Sequence, residues 1–274
     1  MSSADEIVFV DVGQYRCRAE VYLNDIPLAY VHKEGRPNAA EAVPQYMVDG
    51  KNVFKLVVEP GPIPSLALGD PTIAEEDRPV SKPEMIARAR MARYRDGEDI
   101  LPKCGVTLAE IEWRAADLEE PVPFPHVIEQ EVDLGPQFGP WQWQTAEQLT
   151  LDPATYDEAA TVIEQVAQAW ERGDAAPISA LAQLKHAEME RAMPAYPPGS
   201  FDEVFREEIT TFSQHEDWQP PAPTRDLYDL RLVAGGRMVQ AIAKDWRPAV
   251  RLAGGKFGYH FMIGRIDGTW HILR

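Results

Sequence analysis

The spacing of apolar residues changes period twice along this chain, and the change limits the architectures open to it. Up to about residue 150 apolar and polar side chains alternate. From 152 to 212 the apolar ones recur at intervals of three and four, and beyond 225 alternation returns. Period two marks a half-buried strand and period 3.6 an amphipathic helix. The fold class that follows is α+β: an N-terminal all-β sandwich, then a three-helix layer packed on a four- to five-stranded antiparallel sheet. A length of 274 residues is ample for two domains, placed here at 1–150 and 151–274.

Tyr15, Cys17, Ala19, Val21 and Leu23 alternate with Arg16, Arg18, Glu20 and Tyr22, which predicts one strand ending at the Asn24-Asp25 turn. Asp49-Gly50 predicts a reversal into the strand Val53-Phe54-Lys55-Leu56-Val57-Val58, and Pro60, Pro62 and Pro64 end it. Residues 84–95 hold helix formers yet alternate. The Asp96-Gly97 turn and the alternating stretch Leu108 to Trp113 favour a strand pair. His126 to Leu134 predicts another strand, and Trp141-Gln142-Trp143 a closing one.

Asp152 with Pro153 signals a helix start, and Tyr156, Ala159, Ala160, Ile163, Val166, Ala167 and Trp170 share its inner face. Gly173 ends that helix, and Asp174 opens a second carrying Ile178, Leu181, Leu184 and Met189. Ser200 caps a third with Phe201, Val204, Phe205, Ile209 and Phe212. Hairpins follow at Ala234-Gly235-Gly236, Ala253-Gly254-Gly255 and Asp267-Gly268.

Two stretches resemble known families. Val21 to Leu28, followed by Val48 to Val58 with its Gly50-Lys51-Asn52 turn, resembles the galactose-binding-like jelly roll, which implies a sandwich and transfers no sugar-contacting residue. Ala169-Trp170-Glu171-Arg172-Gly173-Asp174 and the ending Gly264 to Leu273 resemble the nuclear-transport-factor-2-like (cystatin-type) α+β roll. That likeness implies a ligand pocket between helices and sheet in some members, while three helices preceding every strand departs from the family order.

Charge narrows function. Lys plus Arg number 27 against 44 Asp plus Glu, a net of −17, which disfavours nucleic-acid binding. The acids concentrate in the helical segment: residues 151–224 hold 14 acids and 4 bases, whereas 225–274 hold 4 acids and 9 bases. No apolar run approaches the ~20 residues of a membrane span. The start Met1-Ser2-Ser3-Ala4-Asp5-Glu6 lacks the charged-then-apolar pattern of a secretory leader, so a cytoplasmic location is expected. Cys17 and Cys104 read as buried small side chains in a reducing compartment.

Motifs for phosphate loops, dinucleotides and zinc are absent, and Gly254-Gly255-Lys256 lacks phosphate-loop spacing. Glu129, Glu131 and Asp133 share one strand face, where three carboxylates could attract calcium. A solvated outer face is the plainer reading. His186 and Glu190 lie four apart on a helix, the spacing of a surface ion pair as much as of a metal pair. His260, with Asp229 or Arg231, could form a polar acid/base group if its strand faced a pocket. Trp141, Trp143 and Trp218 sit in proline-rich loops and are candidate partner anchors or lids.

These readings lead to a non-enzymatic, bacterial-type cytoplasmic binding protein. It would meet a basic partner protein through an acidic surface, in the manner of a toxin-neutralising immunity protein, with no cofactor, metal, nucleic acid or membrane involved. The alternatives are a small-molecule enzyme or carrier with a pocket in the C-terminal roll, and a carbohydrate-binding module using Trp141 and Trp143.

Overall fold

Each stretch of alternation in the first half becomes a strand because one face of it can be buried against a second sheet. The computed structural model describes residues 6–32, 38–95, 97–101, 103–135, 139–193, 197–214, 218, 224–251 and 258–274. The chain divides into two compact units, 1–139 and 140–274, and the fold is α+β with an all-β first part.

The first unit contains β1 (Glu6–Tyr15), β2 (Ala19–Leu23), β3 (Ile26–Val31), β4 (Asn38–Ala42), β5 (Lys51–Val58), β6 (Ile86–Arg95), β7 (Val106–Arg114) and β8 (His126–Asp133). They form two four-stranded sheets, β4-β1-β6-β7 and β3-β2-β5-β8. Val8, Val10 and Val12 of β1 and Ala87, Ala89 and Met91 of β6 meet Val21 and Leu23 of β2 and Phe54, Leu56 and Val58 of β5 in one core. Burial of each larger side chain there contributes about 2 kcal/mol.

The strand expected over Tyr15 to Leu23 is two. Arg16 takes a left-handed backbone (φ 64°), and the chain crosses from one sheet to the other there. Alternation survives the break because Cys17, Ala19 and Val21 face the same core. The preceding strand β1, central in its sheet, has no counterpart in the sequence reading. Of the stretch 84–95, residues 86–95 form the strand, with Ile86 opposite Arg114.

Asn24 and Asp25 both adopt positive φ (53° and 62°), as a two-residue hairpin turn requires. The Asn24 and Asn52 side chains lock that turn to the next one. Asn24 Nδ2 donates to Asn52 Oδ1 (2.8 Å), while Asn52 Nδ2 donates to the carbonyls of Val48 and Gly50 (both 2.9 Å).

The second unit holds α1 (Gln142–Thr145), α2 (Pro153–Glu171), α3 (Ala175–Leu181), α4 (Gln183–Ala192), α5 (Ser200–Ser213), β9 (Tyr228–Val233), β10 (Met238–Ala243), β11 (Val250–Arg251), β12 (Gly258–Tyr259), β13 (Met262–Ile266) and β14 (Thr269–Ile272). Its main sheet runs β14-β13-β10-β9, with β11-β12 a separate pair. Ala159, Ile163, Val166 and Trp170 of α2 pack with Ile178 and Ile209 onto Tyr228, Leu230, Val239 and Ile263 of the sheet. Asp152 caps α2 by accepting from the Thr155 amide at 2.8 Å.

Several expectations need correction in this half. Trp141-Gln142-Trp143 closes no sheet. It enters a helical turn, because Gln144 Oε1 accepts from the Trp141 amide (2.8 Å). The second compact unit begins at 140, and within it the amides of Glu147 and Leu149 donate to the carbonyls of Arg265 and Gly236. The second helix is interrupted at Ala182. Gly199 (φ 85°), not Ser200, occupies the cap position of α5. The strand expected over 256–266 breaks at His260-Phe261, and the Ala253-Gly254-Gly255 turn with Lys256 lies outside the described residues.

Gly264 is required by its neighbours: a Cβ there would stand 2.6 Å from Leu273 Cδ1 and 2.9 Å from the Arg237 carbonyl.

Candidate functional site

Three features stand out: a cleft in the first unit, a polar knot among the helices, and an acidic helix face. The cleft forms where strands end and prolines prevent the sheet from continuing. Its walls are Pro60, Gly61 and Pro62 after β5, Asp70, Ile73, Arg78 and Pro79 from the following loops, and Phe124-Pro125 before β8, with Arg18 at the β1–β2 crossing. It encloses about 380 Å³. Gly61 has no room for a side chain, since a Cβ would fall 1.9 Å from the Leu66 carbonyl oxygen.

The charges in the cleft differ in how far they are satisfied. Arg18 donates through its amide and Nε to the two carboxylate oxygens of Glu59 (2.9 and 2.8 Å). Asp70 accepts from the amide and hydroxyl of Thr72 (2.8 and 2.6 Å), and these bonds hold its carboxyl below the ordinary carboxylate value. Among the described residues Arg78 makes one hydrogen bond, to the Ile73 carbonyl at 3.4 Å; its charge also helps to lower the Asp70 carboxyl, and its Nε is shut off from solvent without a hydrogen-bond partner there.

The polar knot ties α3, α4 and α5. Asp202 receives the Ser179 hydroxyl, His186 Nδ1 (2.9 Å) and Arg206 Nε (2.7 Å), and Arg206 Nε also reaches Ser179 Oγ (3.1 Å). Burial lowers the pKa of His186 despite the opposing Asp202, so the ring is neutral at pH 7. The Ser179 hydroxyl donates its hydrogen bond to the Asp202 carboxylate rather than to the imidazole. The group is thus a lock between helices and not a nucleophile–base pair. His186 is buried and does not form the surface pair expected with Glu190, which instead accepts from the Phe201 amide (3.0 Å).

The sequence candidates are dispersed. Trp141 is 0% exposed and lies between the guanidinium groups of Arg191 (4.5 Å from the ring centroid) and Arg274 (5.1 Å). Trp143 is buried too, so neither presents an aromatic platform. Trp218 packs beside Trp170, with ring centroids 5.2 Å apart, and donates to the Glu171 carbonyl (3.2 Å). The rest of its proline-rich loop, at 215–217 and 219–223, lies outside the described residues.

Arg231 is buried, donates to Gln240 Oε1 (2.7 Å) and lies over Trp246, while Asp229 is half-buried one strand residue pair away. Burial of the His260 ring, and secondarily the Lys185 ammonium, lower its pKa. Asp229 and Arg231 lie on β9 of the main sheet, whereas His260 follows β12 of the separate pair.

On β8, Glu129 and Glu131 are engaged by Lys55 (3.1 Å) and Lys51 (3.0 Å), and Asp133 accepts from the Gly135 amide. Among the described residues no three His, Cys, Asp or Glu side chains gather as a metal cluster. Cys17 is buried and donates to the Ile86 carbonyl (3.1 Å), whereas Cys104 is half-buried.

The acidic helix face emerges once the other acids have been paired. Arg225 holds Asp157 and Glu164 (both 2.7 Å), Arg265 holds Glu147 (2.7 Å) and Glu158 (3.2 Å), and Arg274 holds Glu188 (2.6 Å). Glu203, Glu207 and Glu208 of α5 are exposed and carry no ion pair among the described residues. Val204, 41% exposed, lies in their midst, and α5 fully buries only Ile209. Helical spacing places 203 with 207 and 204 with 208 on one outward strip.

No family model, curated protein or solved structure matches this chain. Neither of the two family resemblances gains support from that quarter. Among the described residues no helix is long and apolar enough to cross a membrane.

The cleft was missed because Pro60, Pro62 and Pro64 read only as strand terminators. Nothing in the spacing joins them to Arg18, Arg78 and Phe124. The knot was missed because Ser179, His186 and Asp202 stand on three separate helices.

Proposed function

We propose that this chain is a non-enzymatic binding protein that docks a basic protein partner on the outer strip of α5. The observation that carries the reading is the set Glu203, Glu207 and Glu208, exposed and without an ion pair among the described residues around Val204, in a unit where Asp157, Glu158, Glu164 and Glu188 are each held by an arginine of residues 225–274. Unpaired carboxylates accelerate encounter with a basic surface, and an apolar centre supplies the contact that water would otherwise occupy. A cytoplasmic toxin-neutralising protein of the immunity type is the form of this function that best fits the charge.

The test uses the whole chain and its Glu203→Lys/Glu207→Lys/Glu208→Lys variant, each immobilised and exposed to a lysate of the encoding organism. Support is a basic protein retained by the wild type alone, with a calorimetric Kd that weakens at least tenfold between 50 and 200 mM salt, roughly as expected for several charge contacts. Equal retention by the charge-reversed chain, or an affinity indifferent to salt, overturns the reading.

A further inference from the structure

The first unit carries a site that the protein-docking reading does not use. We infer that the 380 Å³ cleft binds a compact apolar molecule ending in a single carboxylate, with Arg78 as the residue that receives the carboxylate.

The size falls within the ~300–1,000 Å³ typical of small-molecule sites. Pro60, Pro62, Pro79, Pro125, Phe124 and Ile73 make the walls chiefly apolar and, through proline, stiff. A preformed apolar recess loses little order when a ligand enters.

The polar complement selects the ligand's head group. Arg18, Glu59 and Asp70 are already bonded, to one another or to Thr72. Arg78 is different: a guanidinium offers five donors, and here one long bond to the Ile73 carbonyl is its sole hydrogen bond among the described residues. Its Nε, closed to solvent and partnerless, lacks an acceptor that a ligand oxygen would provide. A carboxylate fits the planar fork of the guanidinium best.

Charge also sets an upper limit. The two arginines and two acids lining the cleft sum to zero, so a bound monocarboxylate leaves the site one charge negative and a dianion leaves it two. A dianion would meet Glu59 and Asp70 as well, and like charges at close range repel. Monocarboxylates are therefore preferred over phosphate monoesters.

The full chain is titrated with 2-naphthoate, the uncharged 2-naphthamide and 2-naphthyl phosphate, followed by calorimetry and by methyl NMR of Ile73. The expected result is saturable binding of 2-naphthoate that shifts the Ile73 methyls, at least tenfold tighter than either analogue. Arg78→Gln should erase the preference for acid over amide, and Arg78→Lys should restore part of it. Ile73→Asn should weaken acid and amide together. Far-UV spectra confirm that each variant stays folded. Equal affinity for acid and amide in the wild type, a preference unchanged by Arg78→Gln, tighter binding of the phosphate, or no binding up to millimolar ligand overturns the inference. The α5 charge-reversal variant should bind 2-naphthoate like the wild type, since its substitutions lie in the other unit.

Discussion

Replacing Glu188 by Gln should destabilise the second unit far more than an ordinary surface change. Glu188 is buried, accepts Arg274 Nη1 at 2.6 Å and the Gln142 amide at 2.6 Å, and also approaches Arg191 at 3.5 Å. The Arg274 side chain is 0% exposed and stacks over Trp141 at 5.1 Å. Removing one charge of such a pair strands the other in a poorly polarisable surrounding, at a cost of about 3–5 kcal/mol. Gln keeps the size and an acceptor for the Gln142 amide, so the lower end, about 3 kcal/mol, is expected. With a urea slope of roughly 2 kcal/mol per molar, the midpoint should fall by about 1.5 M. The double variant Glu188→Gln/Arg274→Met removes both charges. It should lie within about 1 kcal/mol of the wild type, because burying an ion pair and burying an apolar side chain of similar volume are energetically close. Six of the seven tryptophans lie in residues 140–274, so fluorescence during urea titration reports this unit, and a Trp113→Phe background removes the seventh. A single variant within about 1 kcal/mol of the wild type, or a double variant as unstable as the sum of its parts, would refute the reasoning.

Other outcomes follow from the same structure. Burial holds His186 below the usual 6.5 of histidine, so the unfolded chain takes up its proton first as the solution is acidified. Stability should be flat above about pH 6.5 and fall below it until the folded-state pKa is passed, and a His186→Phe variant should show a shallower loss in urea midpoints measured from pH 7.5 to 5. Asn52→Ala leaves the carbonyls of Val48 and Gly50 and the Val48 amide without this partner and reduces Asn24 Nδ2 to its bond with the Tyr46 carbonyl. It should cost about 3 kcal/mol, seen in thermal unfolding followed by far-UV dichroism, and a loss below 1 kcal/mol would contradict the bonding described. Gly264→Ala drives a methyl group against the Arg237 carbonyl and should destabilise by about 1–3 kcal/mol; an unchanged urea midpoint would show that β10 and β13 can separate freely.

Much of the fold is legible because periodicity is a direct record of which side faces a core. Val53 to Val58, the alternating stretch from 86 to 95 and the stripe from Ala159 to Trp170 all declare themselves in this way. Where reading fails, a local bond or a change of partner sheet has intervened. Alternation from Tyr15 to Leu23 runs on through Arg16, although the chain changes sheet there, since both sheets face one core. Trp141-Gln142-Trp143 alternates by accident: Gln144 closes a helical turn around it, and two arginines enclose the Trp141 ring that aromatic content alone would have placed at a surface.

The net charge of −17 illustrates the same separation between composition and site. Summed over the chain it suggests an acidic surface everywhere on the helices. The basic residues of 225–274 answer much of it: Arg225 and Arg265 each bind two carboxylates from residues 147–164, and Arg274 binds Glu188. This pairing could not be read from spacing, since its partners stand 61 to 118 positions apart. It has a consequence for recognition. Carboxylates already bridged to arginine attract an incoming cation weakly, so the field that reaches solvent comes disproportionately from the unbridged ones. On α5 these are Glu203, Glu207 and Glu208. Substituting bridged acids such as Glu164 should therefore alter stability and leave affinity for the proposed basic partner nearly unchanged, whereas substituting the α5 acids should do the reverse.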